Sequence, residues 1–443
     1  MNIRKNTEMN DDLPNDYAPS LKEDVCRWAY SFILTLAIPF TTLYLLYKSS
    51  NRNKDVDHSR FERFGFVSHP PKMNGYLFHC VSVGEVVTAS CLIKRIMQEE
   101  PNAQITITTT TSTGSARVRD IFGKTVHHFY LPFDLQISMS LMLNRIKPKM
   151  VLITEVELWP NLIHVCWKRK IPVLAINARM TDRSVKNYIK IKYLFSPMLH
   201  KLSHICAQGE RDYKNYTTLG ADKSRITLTQ NIKFDQAAAQ QTKQDTFKGI
   251  NKNATPTLVA GSTHELEESA LLSAMKQLWK THPTLRLIIV PRHPERFLTV
   301  KKILENQNES FECTSESQQI SPNTRLVLLD EMGKLNSAYQ IANIAFVGGS
   351  LADKGGHNAL EPAALSVPVI MGPNTYNNPL ICEILAQRGA LVIVKNTNDI
   401  VSQCSYWLSN PDKALNCGNA GRQVLDENSG ALEKTWFKIK SFY

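Results

Sequence analysis

Apolar and polar positions along the chain fall into two alternating kinds of run. Beyond Lys72, short and nearly continuous apolar runs rich in β-branched and aromatic residues ("YLFHCVSV", "QITITTT", "MVLIT", "PVLAIN", "HICAQ") are separated by stretches whose apolar residues recur at helical spacing, among them 85–99, 113–122, 157–169 and 210–218. A strand followed each time by a helix pairs in parallel, with helices over the sheet faces. A polar, alanine- and glutamine-rich tract without periodicity, residues 236–253 ("QAAAQQTKQDTFKGINKN"), reads as a linker. After it the alternation restarts: "TLVAGS" with a helix over 264–281, then "RLIIV", "RLVLLD", "IAFVGGS", a helix over 358–366, "VPVIMG", "ALVIV" and further helices. The pattern predicts an α/β chain of two Rossmann-like domains, 48–235 and 254–443, facing a central cleft. In open parallel sheets ligands sit beyond the carboxyl ends of the strands, so the residues just after each run are the candidates for chemistry.

The first sixty residues follow another rule. A polar leader, residues 1–27, precedes Trp28 to Tyr47, "WAYSFILTLAIPFTTLYLLY", twenty residues without a charge. As a helix this is about 30 Å long, the thickness of a bilayer's hydrocarbon core. No small-residue cleavage site follows, so a retained membrane anchor is expected rather than a signal peptide. Acids dominate before it (Glu8, Asp11, Asp12, Asp16, Glu23, Asp24) and bases after it (Lys48, Arg52, Lys54, Arg60, Arg63). The positive-inside rule then places the body in the cytoplasm. Pro39 and three threonines dilute the segment, which leaves open a helix that lies in the membrane surface or packs on protein.

Composition adds two constraints. The 52 lysines and arginines exceed the 40 acids, so an anionic partner is expected: nucleic acid, an anionic lipid surface or a phosphorylated substrate. The basic stretches "WKRK" (167–170) and 183–201 have little aromatic interleaving and no recognition motif, which disfavours nucleic acid. The nine cysteines are scattered with no CxxC pair, so neither a disulfide framework nor a zinc knuckle is indicated.

Acids stand out after two strands of the first half. In "LFHCVSVGEVVTAS" a lone carboxylate, Glu85, follows Gly84 where a strand gives way to a helix. It is either a first-turn helix acid favoured by the dipole or a general base whose pKa its neighbours would have to raise. In "TEVELWP" (154–160) Glu155 and Glu157 are two apart; on an extended strand they would point the same way, and like charges that close raise one pKa. Capping accounts equally for one of them. The hydroxyl- and arginine-bearing turns "TTTTSTGSAR" and "NARMTDRS" suit a polyanionic, polyhydroxylated ligand, or serve as helix caps.

The second half offers glycine- or base-rich turns after four strands: "AGSTHELEE" with Ser262, "PRHPERF" with Arg292 and His293, "VGGSLADKGGHNALEPAA" with Gly355, Gly356, His357, Asn358 and Glu361, and "MGPNTYNNP". None matches GxGxxG or a P-loop, which argues against a nicotinamide dehydrogenase or a P-loop NTPase. Glycines at helix starts expose backbone N–H groups to phosphate, Arg292 and His293 supply charge, and Glu361 can accept ribose hydroxyls, which together describe a nucleotide-sugar site. His264, Glu265, Glu267 and Glu268 crowd one helix, but without HExxH or DxD no catalytic metal is expected.

"HCVSVGE", "TTTTSTGS", "TEVELWPNLI", "NARMTDRS", "GSTHELEE", "PRHPERF" and "GGSLADKGGHNALEPA", in this order, resemble the 3-deoxy-D-manno-octulosonic acid (Kdo) transferases, from about Arg60 to the C-terminus together with the N-terminal anchor. The resemblance implies an inner-membrane-associated, inverting glycosyltransferase of GT-B architecture that uses neither metal nor other cofactor. Its donor would be CMP-Kdo and its acceptor the bisphosphorylated lipid A precursor, lipid IVA, with inner-membrane lipids as surroundings. It further implies that Glu85 is the general base, that Glu155 is a second essential carboxylate, and that Arg292, His293, Gly355, Gly356, His357, Asn358, Glu361 and Ser262 lie in the CMP site. Ala359 and Ser112 stand where prolines are usual and Lys334 where an acid is common. Two other readings stay open: a GT-B transferase using a UDP-sugar, and a lipid A-binding membrane protein without catalysis.

Overall fold

A computed structural model describes residues 17–50, 60–239, 246–252, 254–307 and 309–443, with backbone alone at 44–50 and 60. The chain divides into two compact units. One runs up to Ile232 and is completed by Gly430–Tyr443; the other is Lys233–Ser429.

The first unit is built on seven strands: β1 (Tyr76–His79), β2 (Ile105–Thr109), β3 (His127–Tyr130), β4 (Met150–Thr154), β5 (Val173–Ala178), β6 (His204–Ala207) and β7 (Ile226–Leu228). All pair in parallel in the order β3-β2-β1-β4-β5-β6-β7, which reverses between β1 and β4. The alternating side chains of each strand feed two cores. Leu77, Val151 and Ile153 pack with Met139, Leu143 and Leu162 on one face, while Phe78, Ile107, Leu152 and Leu174 pack with Val86, Ile93 and Trp436 on the other. Trp436 belongs to the helix Ala431–Lys440. The last 14 residues, Gly430–Tyr443, therefore serve the first unit, whereas the strand-helix pattern ran the second domain to the C-terminus.

In the second unit β10 (Thr257–Thr263), β11 (Arg286–Pro291), β12 (Phe311–Cys313), β13 (Leu326–Leu328), β14 (Ile344–Val347), β15 (Val369–Met371) and β16 (Leu391–Ile393) form a parallel sheet in the order β12-β13-β11-β10-β14-β15-β16. Strand order reverses at β10, with β11 on one side and β14 on the other.

The expected linker 236–253 is in part structured. The alanine-rich stretch completes the helix Ile232–Ala239, and a hairpin of β8 (Thr246–Phe247) and β9 (Ile250–Asn251) turns through Lys248 and Gly249, both at positive φ (49° and 80°). Phe234 and Ala237 enter one core of the second unit, Phe247 and Ile250 another. Residues 240–245 and 253 lie outside the described ones.

The expected anchor segment is helical within α1 (Leu21–Ser50). Among the described residues, however, no helix is long and apolar enough to cross a membrane, so the transmembrane expectation is not supported. Polar groups dock one side of α1 on the first unit: Arg27, 6% exposed, donates to Gln136 Oε1 and Asn161 Oδ1, both at 3.3 Å, and Asn161 Nδ2 donates to Ser31 Oγ at 2.9 Å. The other side leaves Val25, Trp28, Phe32, Leu36, Phe40 and Leu43 exposed. The leader acids Glu8, Asp11, Asp12 and Asp16 and the following bases Arg52 and Lys54 lie outside the described residues.

Candidate active site

Glu85 and Glu155 in the first sheet, and Ser262 and the turn 355–361 in the second, follow the strands that flank the switch points, where parallel α/β sheets hold ligands, while Arg292 and His293 lie one strand away, after β11. In the first unit the chain leaves β1 through Val81 and Ser82 and enters α2 (Val83–Glu99). Ser82, extended at φ −110°, caps the helix; its Oγ accepts the Glu85 N–H at 3.4 Å and donates to Glu85 Oε1 at 2.8 Å, while the Val81 N–H donates to Glu85 Oε2 at 2.8 Å. The spacing is that of a capping box, S-x-x-E, but the return bond runs to the Val81 N–H, one residue ahead of the cap, and to the serine hydroxyl. Gly84 lies inside α2, so the chain leaves the extended conformation at Ser82, ahead of the glycine. Thr111 Oγ1 donates to the Val81 carbonyl at 3.0 Å, which brings the turn after β2 against the same spot.

Glu85 is only 7% exposed. Burial pushes its carboxyl up from the ordinary 4.5 to about 7; the Val81 and Ser82 hydrogen bonds oppose the rise, and the charges of Glu155 and Glu157 add to it. The three carboxylates thus share one neighbourhood. Their grouping does not come from an extended strand, since β4 ends at Thr154 and Glu155 turns in the left-handed region at φ 59°. Burial and then Glu155 also raise Glu157. Beneath the acids, the Trp159 indole N–H donates to His79 Nε2 at 3.1 Å and His79 Nδ1 pairs with Thr108 Oγ1 at 3.0 Å, with His79 fully buried. That bond fixes Nε2 as the acceptor and ties the turn after β4 to the end of β1.

In the second unit β10 slips register between Gly261 and Thr263, and Ser262 sits in the slip at φ 56°. A Cβ on Gly348 would lie 2.3 Å from the Ser262 carbonyl oxygen, so glycine alone lets the turn after β14 approach β10 this closely. His264 then caps the helix Glu265–Leu278. His264 Nε2 lies 3.0 Å from His357 Nε2, the two rings nearly parallel, and the His293 ring is 5.6 Å from His264 between centroids. Burial, then Arg292, His264 and His293, push His357 down to about 4. His264 is lowered by burial and then by His293, Lys354, Arg292 and Arg296. Glu361 is raised by burial, against a 3.2 Å hydrogen bond from Asn358 and the charge of Arg292. Exposed Arg292 thus faces both His357 and Glu361. Gly355 and Gly356 take φ values of 83° and 70°, and a Cβ on Gly356 would meet Asn374 O at 2.9 Å.

The structure differs from the sequence reading over the glycine turns. Backbone N–H groups of Gly349, Ser350, Leu351 and Ala352 donate to Glu267, those of Gly356 and His357 to the carbonyls of Gly349 and Gly348, and the following helix Leu360–Ala364 has five residues. What the turn offers a ligand is mainly side chains.

Residues 58–236 match the family model "3-Deoxy-D-manno-octulosonic-acid transferase (kdotransferase)" and residues 247–424 match "Glycosyl transferases group 1". The 3-deoxy-D-manno-octulosonic acid transferase of Haemophilus influenzae is 38% identical over 421 residues, 94% of this chain and 98% of that one. The chain belongs to this family. It is a glycosyltransferase enzyme. The transferase is also similar to the Rickettsia bellii protein of the same name, at 29% identity over 94% of this chain and 99% of that one. In fold its two parallel-sheet α/β units resemble MurG of Acinetobacter baumannii, at TM-score 0.53 and 14% identity over 84% of this chain and 100% of that one.

Two features of the transferase escaped the sequence. His79 and Trp159 were visible only as members of quoted motifs, and nothing in their spacing shows that they bond. Glu267 stood among crowded acids; its one signal was its place three residues after the cap His264, the spacing of a capping box.

Proposed function

We propose that this transferase moves Kdo from CMP-Kdo to the lipid A precursor, lipid IVA, with inversion at the anomeric carbon. Glu85 takes the proton of the attacking acceptor hydroxyl as that oxygen bonds to the anomeric carbon and the bond to CMP breaks. The observation that carries this reading is a buried carboxylate at a switch point, raised to about 7 with two further carboxylates beside it. A base with that pKa is half ionised near neutral pH, where proton abstraction is most efficient. Glu155 acts on Glu85 through its charge.

The leaving CMP is a phosphate monoester, and Arg292, His293 and His357 are the side chains to receive it, with Asn358 and Glu361 toward the ribose. The Ser262 turn and Gly355–Gly356 shape the same subsite, and neither metal nor other cofactor enters the scheme. For localisation we infer the cytoplasmic face of the inner membrane. The exposed apolar face of α1 supports this, as do exposed Ile189, Ile191 and Tyr193 among Arg183, Lys186, Lys190 and Lys192, a pairing suited to an anionic lipid surface.

The test is turnover of lipid IVA with CMP-Kdo against UDP-sugars, in the unaltered protein and in Glu85→Gln. Transfer from CMP-Kdo that vanishes in the variant while CMP binding persists is expected; turnover with UDP-sugars alone, or a fully active variant, refutes the reading.

A further inference from the structure

Glu267 is completely buried in the first turn of the helix Glu265–Leu278. Its Oε2 accepts the N–H of His264 at 3.0 Å and of Gly349 at 2.8 Å, and its Oε1 accepts those of Ser350 and Leu351, both at 2.9 Å, and of Ala352 at 3.3 Å. Among the described residues no lysine or arginine forms a salt bridge with it. Successive backbone N–H groups converging on one point make an anion-binding concavity, and charge-assisted bonds to a carboxylate are the strong kind. Here the anion is part of the chain.

Two consequences follow. The glycine-turn donors that would otherwise cradle a phosphate are already saturated, since two carboxylate oxygens offer about four lone-pair sites and five donors use them. One side chain also fixes the register between the turn after β10 and the turn after β14. His264 rides on the first turn; Lys354, His357 and Glu361 follow from the second. The carboxylate therefore acts at the root of every group assigned to the nucleotide except those after β11.

We propose that Glu267 is a positioning residue for the nucleotide subsite: it fills the anion nest of the 349–352 turn from within, so that the donor phosphate is gripped by Arg292 and the histidines instead. The proposal rests on the reading of this unit as the site of a nucleotide-sugar donor. A residue acting in this way moves donor binding and local order, and leaves the acceptor alone.

The experiment uses the full chain with Glu267→Gln, whose amide keeps one acceptor oxygen and turns an NH2 toward the remaining donors. Hydrogen exchange at amides 349–352, CMP affinity by titration calorimetry, and steady-state KM for donor and acceptor are measured. Expected are exchange accelerated at least tenfold at 349–352 with β14 still protected, CMP affinity weakened about tenfold, donor KM raised about tenfold, and acceptor KM and kcat held within about twofold. If the glutamine variant does not fold, Glu267→Asp keeps the charge but withdraws it by one methylene, and the same readouts apply. Unaltered donor KM and CMP affinity, or a kcat loss with both KM values unmoved, overturns the assignment. If the unaltered protein binds no CMP, the nucleotide reading fails and this proposal with it; CMP binding indifferent to Glu267 overturns this proposal alone.

Discussion

Replacing Glu85 by Gln separates stability from activity in opposite directions. In the folded chain the carboxyl titrates at about 7 against an ordinary 4.5, so the folded state holds its proton more tightly than the unfolded state does. The sign follows from linkage: below about pH 4.5 the group is protonated in both states and costs nothing, the cost grows as pH rises between 4.5 and 7, and above 7 it is complete. A difference of two to three pKa units corresponds to about 3 kcal/mol. Glutamine removes the charge but keeps the geometry: its oxygen accepts the Val81 N–H, and its NH2 donates to Ser82 Oγ, which as a hydroxyl can accept. The variant is therefore expected to stay within about 1 kcal/mol of the parent in urea unfolding at pH 5 and to exceed it by about 3 kcal/mol at pH 8, while Kdo transfer is lost at both. In the parent, kcat/KM should fall tenfold per pH unit below about 7. A stability difference independent of pH, or a variant weaker than the parent at pH 8, would refute the account of Glu85 as a carboxylate strained by burial and its two acidic neighbours.

Trp436→Ala removes a ring that is 1% exposed in the core of the first unit and should destabilise that unit by about 3–5 kcal/mol in urea unfolding; a loss under about 1 kcal/mol would contradict the packing. His264 and His357 are held neutral near pH 7, and an arriving phosphate reverses the balance, so CMP titrations in buffers of different ionisation enthalpy should show uptake of about one proton, lost in His357→Gln; identical heats in all buffers would dismiss it. Exchanging Phe32, Leu36 and Phe40 of α1 for serine should lower sedimentation with anionic vesicles about tenfold and leave the unfolding midpoint unchanged, whereas undiminished sedimentation removes the membrane role from that face.

The strands were legible because parallel strands are buried on both faces and read as unbroken apolar runs, and Glu85 because it is a lone acid where such a run gives way to helical spacing. The surroundings of Glu155 were not, because a left-handed φ at a non-glycine residue leaves no trace in residue type. Phe247 and Ile250 were too few to show a hairpin within a polar tract. The helix Ala431–Lys440 was read as a helix but assigned to the wrong unit, since an amphipathic face does not say which core it will enter. The glycine turns after β14 were recognised as places where backbone donors gather, but their acceptor, Glu267, lies some eighty residues away, and only the fold brings it there.

That the last helix returns to the first unit makes the second unit an insertion within it. During synthesis the first unit has its whole sheet by Leu228, yet the slot for Trp436, Ile439 and Phe442 stays open until the ribosome has made some two hundred more residues. The intervening unit can meanwhile close on its own, so the acid-bearing unit, though first to emerge, is the last to be finished. A fragment ending at Ile232 would carry all three acids and still expose a greasy furrow, which makes it a substrate for chaperones rather than a minimal domain.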